Sequence, residues 1–270
     1  MTAPRRTWWA KLERADRHLA EFKREFERLR DTRISYEVTT DIHHFQAGDM
    51  LEAHAVVPEV YRDDIAAIVG DVVFNTRSAL DHLCVALSGN ERSEYPIYEE
   101  DIWAPWDLPG VKDPNTQRRK DFNGYTRGMP AAAVEFIKTH QPFAFEGLLP
   151  ARLRHLAILN RLSNADKHRR LVAFDDGICQ VEVMCTFDGV KVPNAFVPGD
   201  MALSGAVIGV FPVPPPGVDV QIRATGGLHL TLMEPNPPQF RYETPDSLVN
   251  LVQYVRKTIV EPLDGFIPYS

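Results

Sequence analysis

The chain has 270 residues, 44% of them hydrophobic and 25% charged, with a formal net charge of −7. That is the balance of a globular protein long enough to bury a sizeable core, and its acidic sum excludes a whole-chain field that attracts polyanions. No apolar run approaches the ~20 residues that span a bilayer, and no signal-peptide core follows Arg5-Arg6, so the expectation is a cytoplasmic protein with no membrane contact.

Residues 7–31 predict an amphipathic helix, with Trp8, Leu12, Ala15, Leu19, Phe22, Phe26 and Leu29 recurring at helical spacing among charged residues. Period two replaces this over residues 33–57. There Ile34, Tyr36 and Val38 alternate with polar residues, and Gly48-Asp49 offers a turn, so a short hairpin is expected. Its His43-His44 pair has no carboxylate or thiol at ligand spacing and reads as ordinary surface or core histidine. Pro58 opens a long helix over 59–88. Val69, Val73, Thr76, Leu80, Leu83 and Leu87 form its apolar stripe, and Gly89-Asn90 ends it.

Residues 91–130 form an irregular insertion. Five prolines interrupt it (Pro96, Pro105, Pro109, Pro114 and Pro130), and it carries Trp103, Trp106 and the basic cluster Arg118-Arg119-Lys120. A stretch of this kind either covers a site or sits on the surface. Short helices are expected at 131–140 and 150–170. From 171 to 243 the pattern is β, with hairpin turns at Asp176-Gly177 and Asp188-Gly189. Strands are expected over Ala206–Val213, Val218–Ala224 and Leu228–Met233, with Gly226-Gly227 between the last two. A last helix covers 245–263. Cys84, Cys179 and Cys185 fit no zinc or redox spacing and read as free thiols.

The fold class these elements imply is α+β: a helical bundle core with an appended antiparallel β-sheet module. Residues 1–170 are the mainly helical part, containing the 33–57 hairpin and the 91–130 insertion. Residues 171–243 are the β module. Residues 244–270 are a C-terminal helix packing back on the helical part, which makes one composite domain.

No Walker-type loop, dinucleotide fingerprint, Gly-x-Ser-x-Gly elbow or His-Glu-x-x-His helix is present in the sequence. The densest chemistry lies in two segments that end in histidine. One runs Asn75-Thr76-Arg77-Ser78-Ala79-Leu80-Asp81-His82, the other Asn160-Arg161-Leu162-Ser163-Asn164-Ala165-Asp166-Lys167-His168-Arg169. Histidine titrates near neutrality and can take and give a proton, while a guanidinium matches phosphate oxygens and stays charged. Asp81 follows Arg77 by four residues and can pair with it. Arg161, Asn164 and His168 share one helix face.

Arg77-x4-His82 and Arg161-x6-His168 both resemble the Arg-x4–6-His motif of the HEPN superfamily, helical proteins that include many RNases. The resemblance covers residues 59–88 and 150–170. The first segment is the better match, because Ser78 supplies the polar residue that often follows the arginine, whereas Leu162 does not. The resemblance implies metal-independent RNA cleavage of a toxin or defence type, in which the 2′-hydroxyl attacks the adjacent phosphodiester. It further implies a homodimer, since the family's site often forms between two copies. Arg77, Asp81, His82 and His168 would then be catalytic. Asn75, Arg161, Asn164, Asp166, Lys167 and Arg169 would bind substrate, with RNA as partner and neither cofactor nor metal.

Two other readings stand beside this one. The HEPN group also holds non-catalytic members, so the chain could be a nucleotide-, nucleic-acid- or protein-binding module. A metal-assisted hydrolase would use Asp81, His82, Asp166 and His168. Adjacent side chains on a helix diverge by roughly 100°, which sets the Asp-His neighbours poorly for one ion. The plain structural reading makes Arg77 and Asp81 an ordinary i,i+4 ion pair.

Overall fold

The structure, a computed structural model, describes residues 6–31, 37–45, 48–56, 62–106, 112–145, 155–167, 173–195, 201–202, 205–233, 241–243 and 246–267. Its fold is α+β. The helices are α1 (Thr7–Asp31), α2 (Arg62–Ser88), α3 (Thr116–Tyr125), α4 (Ala131–Thr139), α5 (His155–Lys167), α6 (Asp246–Tyr254) and α7 (Glu261–Asp264). The strands are β1 (Glu37–Phe45), β2 (Gly48–Val56), β3 (Ala173–Phe187), β4 (Val190–Val192), β5 (Met201–Ala202), β6 (Val207–Pro212), β7 (Val220–Met233) and β8 (Arg241–Glu243).

The chain divides into two compact units. The first takes in Met1–Phe22, Ile65–Ala173 and Met233–Ser270, the second Lys23–Asp64 and Phe174–Leu232. The β1–β2 hairpin, grouped with the helical part on sequence grounds, falls in the second unit because β2 pairs antiparallel with β6.

In the first unit the amphipathic pattern of α1 buries Trp8, Leu12, Ala15, Leu19 and Phe22. The expected stripe of α2 is buried in full, from Val69 to Leu87. So are Ala66, Val72, Ala79 and Cys84, which lie off that stripe, so α2 is a central helix enclosed on more than one face. Gly89 ends it at φ +67°, a left-handed conformation that glycine adopts at no steric cost. The last helical stretch is not one regular α-helix. Between α6 and α7 the chain widens into a π-helical stretch, Val255–Val260, which ends two residues before Pro262. Proline has no N–H, and its ring crowds the carbonyl four residues back, so a regular α turn is disfavoured there.

The 91–130 and 171–243 stretches differ from the sequence expectation. The insertion contains a ten-residue helix, α3, whose only buried residue is Phe122, so no apolar stripe marked it. It is held by an aromatic cluster in which Trp103 meets Phe122 edge-on at 4.9 Å and Phe143 at 5.8 Å. In the β region only one of the two expected Asp-Gly turns forms. Asp188 and Gly189 adopt φ +47° and +78°, the left-handed pair of a tight hairpin turn. Asp176-Gly177 lies inside β3, and Gly226-Gly227 lies inside β7, which is one long strand.

The second unit carries two sheets. One has the order β1-β2-β6; in the other, β3 is flanked by β4 and β7, with β5 also paired to β3. Ile42, Leu51 and Phe211 stand in register across the first sheet, where Leu51 and Phe211 are buried and Ile42 is exposed.

Candidate functional site

Arg77 projects from the middle of α2 into the first unit's core, where only 8% of it is exposed. Its Nη2 donates to the Tyr95 carbonyl at 2.7 Å and lies 3.3 Å from Asp81 Oδ1. The same carboxylate oxygen accepts the Tyr95 N–H at 3.0 Å. One i,i+4 pair on α2 thus holds both backbone groups of a single loop residue, and that residue is fully buried. Arg77 Nη1 and Tyr95 Oη are buried with no hydrogen-bond partner among the described residues.

The surroundings of this clamp are strongly desolvated. Burial, and then the negative charge of Asp81, push the Cys84 thiol well above its ordinary range, against the opposing pull of Arg77. Burial likewise pushes the Tyr95 hydroxyl up. Both groups are neutral and inert near pH 7.

The remaining residues of the first segment divide between interior and surface. Asn75 is buried and donates to the Asp71 carbonyl at 2.8 Å, a bond within its own helix. Asp81 is engaged by Arg77 and Tyr95. His82, the next residue, lies about 100° further round the helix and is half-buried.

In the second segment Arg161 pairs with Glu99. Nε donates to Oε1 at 2.9 Å, and Nη2 contacts Oε2, a two-pronged arrangement. Asn164 is exposed one turn later. Asp166 and Lys167 are the last residues of α5 whose backbone is described, and their side chains fall outside the described residues. So do His168 and Arg169. The His43 and His44 side chains are likewise outside them, although both residues belong to β1.

The arginines of both segments are therefore tied to the same short stretch, Tyr95 to Glu99. Gln141 fixes the middle of it. Fully buried, Gln141 donates through Nε2 to the Pro96 carbonyl at 2.9 Å and accepts the Tyr98 N–H at 2.7 Å. Tyr95, Glu99 and Gln141 were not legible as site residues, since their partners are distant in sequence and the stretch itself has no periodicity.

Two members of the basic cluster are also paired internally. Arg118 reaches Glu100 at 2.7 Å. Arg119 contacts Asp113 and donates to the Ile102 carbonyl at 2.8 Å. The Asn115 N–H first, and Arg119 after it, hold the Asp113 carboxyl below its ordinary range. Exposed Lys120 lines an open surface pocket of about 290 Å³ with Lys112, Asp113 and Gln117; no residue of either histidine segment lines it.

In the second unit His54 Nε2 stands 3.5 Å from Glu52 and 3.9 Å from Asp41, carboxylates that face each other across β1 and β2. A histidine beside such a pair offsets their repulsion when protonated. Among the described residues no group of three or more His, Cys, Asp or Glu side chains is placed to hold a metal ion, and no helix is long and apolar enough to cross a membrane. Comparison with family models, with curated proteins and with solved structures finds no match to this chain.

Proposed function

We propose that this chain is a HEPN-like protein whose helical unit binds a phosphate-bearing ligand, a nucleotide or a nucleic acid, without cleaving it. The observation that carries the reading is the state of Arg77. Phosphoryl chemistry at His82 needs a guanidinium aimed at the reacting phosphate. Arg77 is instead buried and bonded to Tyr95 and Asp81. Releasing it would leave a buried carbonyl and a carboxylate without their partner. The kinship itself rests on the Arg-x4-His spacing in α2.

A second reading, the metal-independent RNase working as a homodimer, is favoured by a different observation. Arg77 and Arg161, from separate helices, reach one five-residue stretch of chain. Catalysis on that reading requires Tyr95 to give up Arg77.

The binding reading is tested by titrating the protein into a short fluorescently labelled single-stranded RNA and into a labelled ATP analogue, at several salt concentrations. Saturable binding of either that weakens with salt is expected, since phosphate contacts release counterions. No binding of either at low salt would sink the reading.

A further inference from the structure

The β1-β2-β6 sheet of the second unit has two unlike edges. At β6 the chain closes the edge itself. Val210 donates its N–H to Asn194 Oδ1 at 2.9 Å, and its carbonyl accepts the Ala195 N–H at 2.9 Å. At the other edge β1 pairs with β2 and, among the described residues, with no further strand. Alternate residues of such a strand direct their N–H and C=O groups away from the sheet, which makes the edge a template for another strand.

β1 carries none of the devices that ordinarily block an edge. It is nine residues long, and its register with β2 runs without a bulge from Glu37 to Phe45. It contains no proline, lysine or arginine. Thr39, Thr40, Asp41 and Ile42 are all exposed. Neighbours on a strand point to opposite faces, so β1 is open on both.

Two features identify what fits this edge. An apolar row crosses the sheet from Phe211 through Leu51 to Ile42, buried at its first two members and 55% exposed at the last. A second copy pairing antiparallel about a two-fold axis at Ile42 continues that row, setting one Ile42 directly against the other. The same register places Asp41 of each strand opposite position 43 of the other, a histidine, so an acid faces a base on both sides of the axis. The Asp41 side chain is 70% exposed, open to such a partner. An axis moved to Asp41 would instead oppose two carboxylates, and an axis between residues 41 and 42 would oppose Asp41 to Ile42. Charge and apolar continuity therefore select one register.

We propose that two copies of this chain form a dimer by antiparallel pairing of their β1 edges over residues 39–45, about a two-fold axis at Ile42. The two sheets become one continuous sheet, and Ile42 is covered. The surface lies wholly within the second unit and depends on neither functional reading above.

Sedimentation of the full chain over a wide concentration range tests the dimer. Wild type should reach twice the chain's mass. Ile42→Lys opposes two like charges on the axis and should weaken dimerisation by at least about ten-fold. Val190→Lys, at an exposed apolar position of β4, should leave it unchanged. Oxidation by diamide tests the register. Directly opposed Cα atoms lie about 4.5–5.5 Å apart, within disulfide reach, so Ile42→Cys should give a covalent dimer on a non-reducing gel. In the same register the two copies of position 40 stand about 14 Å apart, so Thr40→Cys should give no more covalent dimer than wild type. Should Ile42→Lys fail to fold, the cysteine pair decides alone. A wild type that stays monomeric overturns the proposal. So does a dimer that folded Ile42→Lys leaves intact, or one in which Thr40→Cys bridges as readily as Ile42→Cys.

Discussion

Arg77 and Tyr95 meet side chain to backbone, the guanidinium Nη2 donating to the carbonyl at 2.7 Å across 18 residues of chain. Asp81 closes the arrangement by accepting the Tyr95 N–H. The clamp makes the arginine of the best-matching motif part of the core. Arg77→Met should therefore destabilise the protein by about 3 kcal/mol, because it leaves the buried Tyr95 carbonyl without its donor and removes the cation beside Asp81. Asp81→Asn keeps an acceptor for the Tyr95 N–H but strips the buried Arg77 guanidinium of its countercharge, and should also cost about 3 kcal/mol. Urea unfolding of the three proteins checks both values. Near-equal midpoints for wild type and Arg77→Met would show that Arg77 does not hold the loop.

Tyr95 gives a contrasting expectation. Its backbone is clamped, while its hydroxyl is buried with no partner among the described residues. Removing a desolvated, unpaired hydroxyl relieves a penalty, so Tyr95→Phe should be stabilising by about 1 kcal/mol. The unfolding midpoint reads this directly, and a loss of more than about 1 kcal/mol would mean the hydroxyl is hydrogen-bonded in solution.

His155 at the start of α5 stacks on Tyr254, ring centroids 4.8 Å apart and planes within 14°. Burial holds its imidazole below the ordinary value of 6.5. The folded state thus favours the neutral ring, and the unfolded chain takes up a proton first as pH falls. Stability is full above pH 6.5 and declines as pH drops through 6.5 towards the lower folded value. His155→Phe keeps the stacking and should lose that part of the decline. Thermal melts of both proteins from neutral to mildly acidic pH would show parallel curves if the ring is not what titrates.

Gly128 has φ +92°, and a Cβ there would stand 2.6 Å from the Ser88 carbonyl oxygen. The obstacle is backbone and cannot swing aside. Gly128→Ala should cost about 2 kcal/mol or more, from the strained dihedral and the forced shift together. By comparison Gly124→Ala meets nothing within 4 Å, has no positive φ, and should be neutral or slightly stabilising. Equal melting points for the two alanine variants would contradict this.

Periodic apolar residues made much of the fold legible. The stripes of α1 and α2 and the bounds of α4 follow from spacing alone, and Asp188-Gly189 marked a true hairpin turn because both residues tolerate positive φ. Elsewhere local signals lost to pairing. Asp176-Gly177 and Gly226-Gly227 carry turn chemistry, yet each lies within a strand paired to neighbours remote in sequence. α3 escaped notice because it buries only Phe122. The site was half legible. The arginines at 77 and 161 stood out, but what holds them did not, since Tyr95 acts through its backbone and Glu99 pairs across 62 residues. Burial of Arg77 was hidden for a related reason: it lies off the apolar stripe of α2, and only the enclosure of that helix on further faces covers it.

The most direct test of the central claim is cleavage of mixed end-labelled RNAs in EDTA by wild type and by His82→Ala, each verified as folded. With Arg77 committed to Tyr95 and Asp81, wild type should leave the RNA intact and His82→Ala should be indistinguishable from it. Cleavage by wild type that disappears in folded His82→Ala would contradict the account and establish α2 as the seat of a metal-free nuclease.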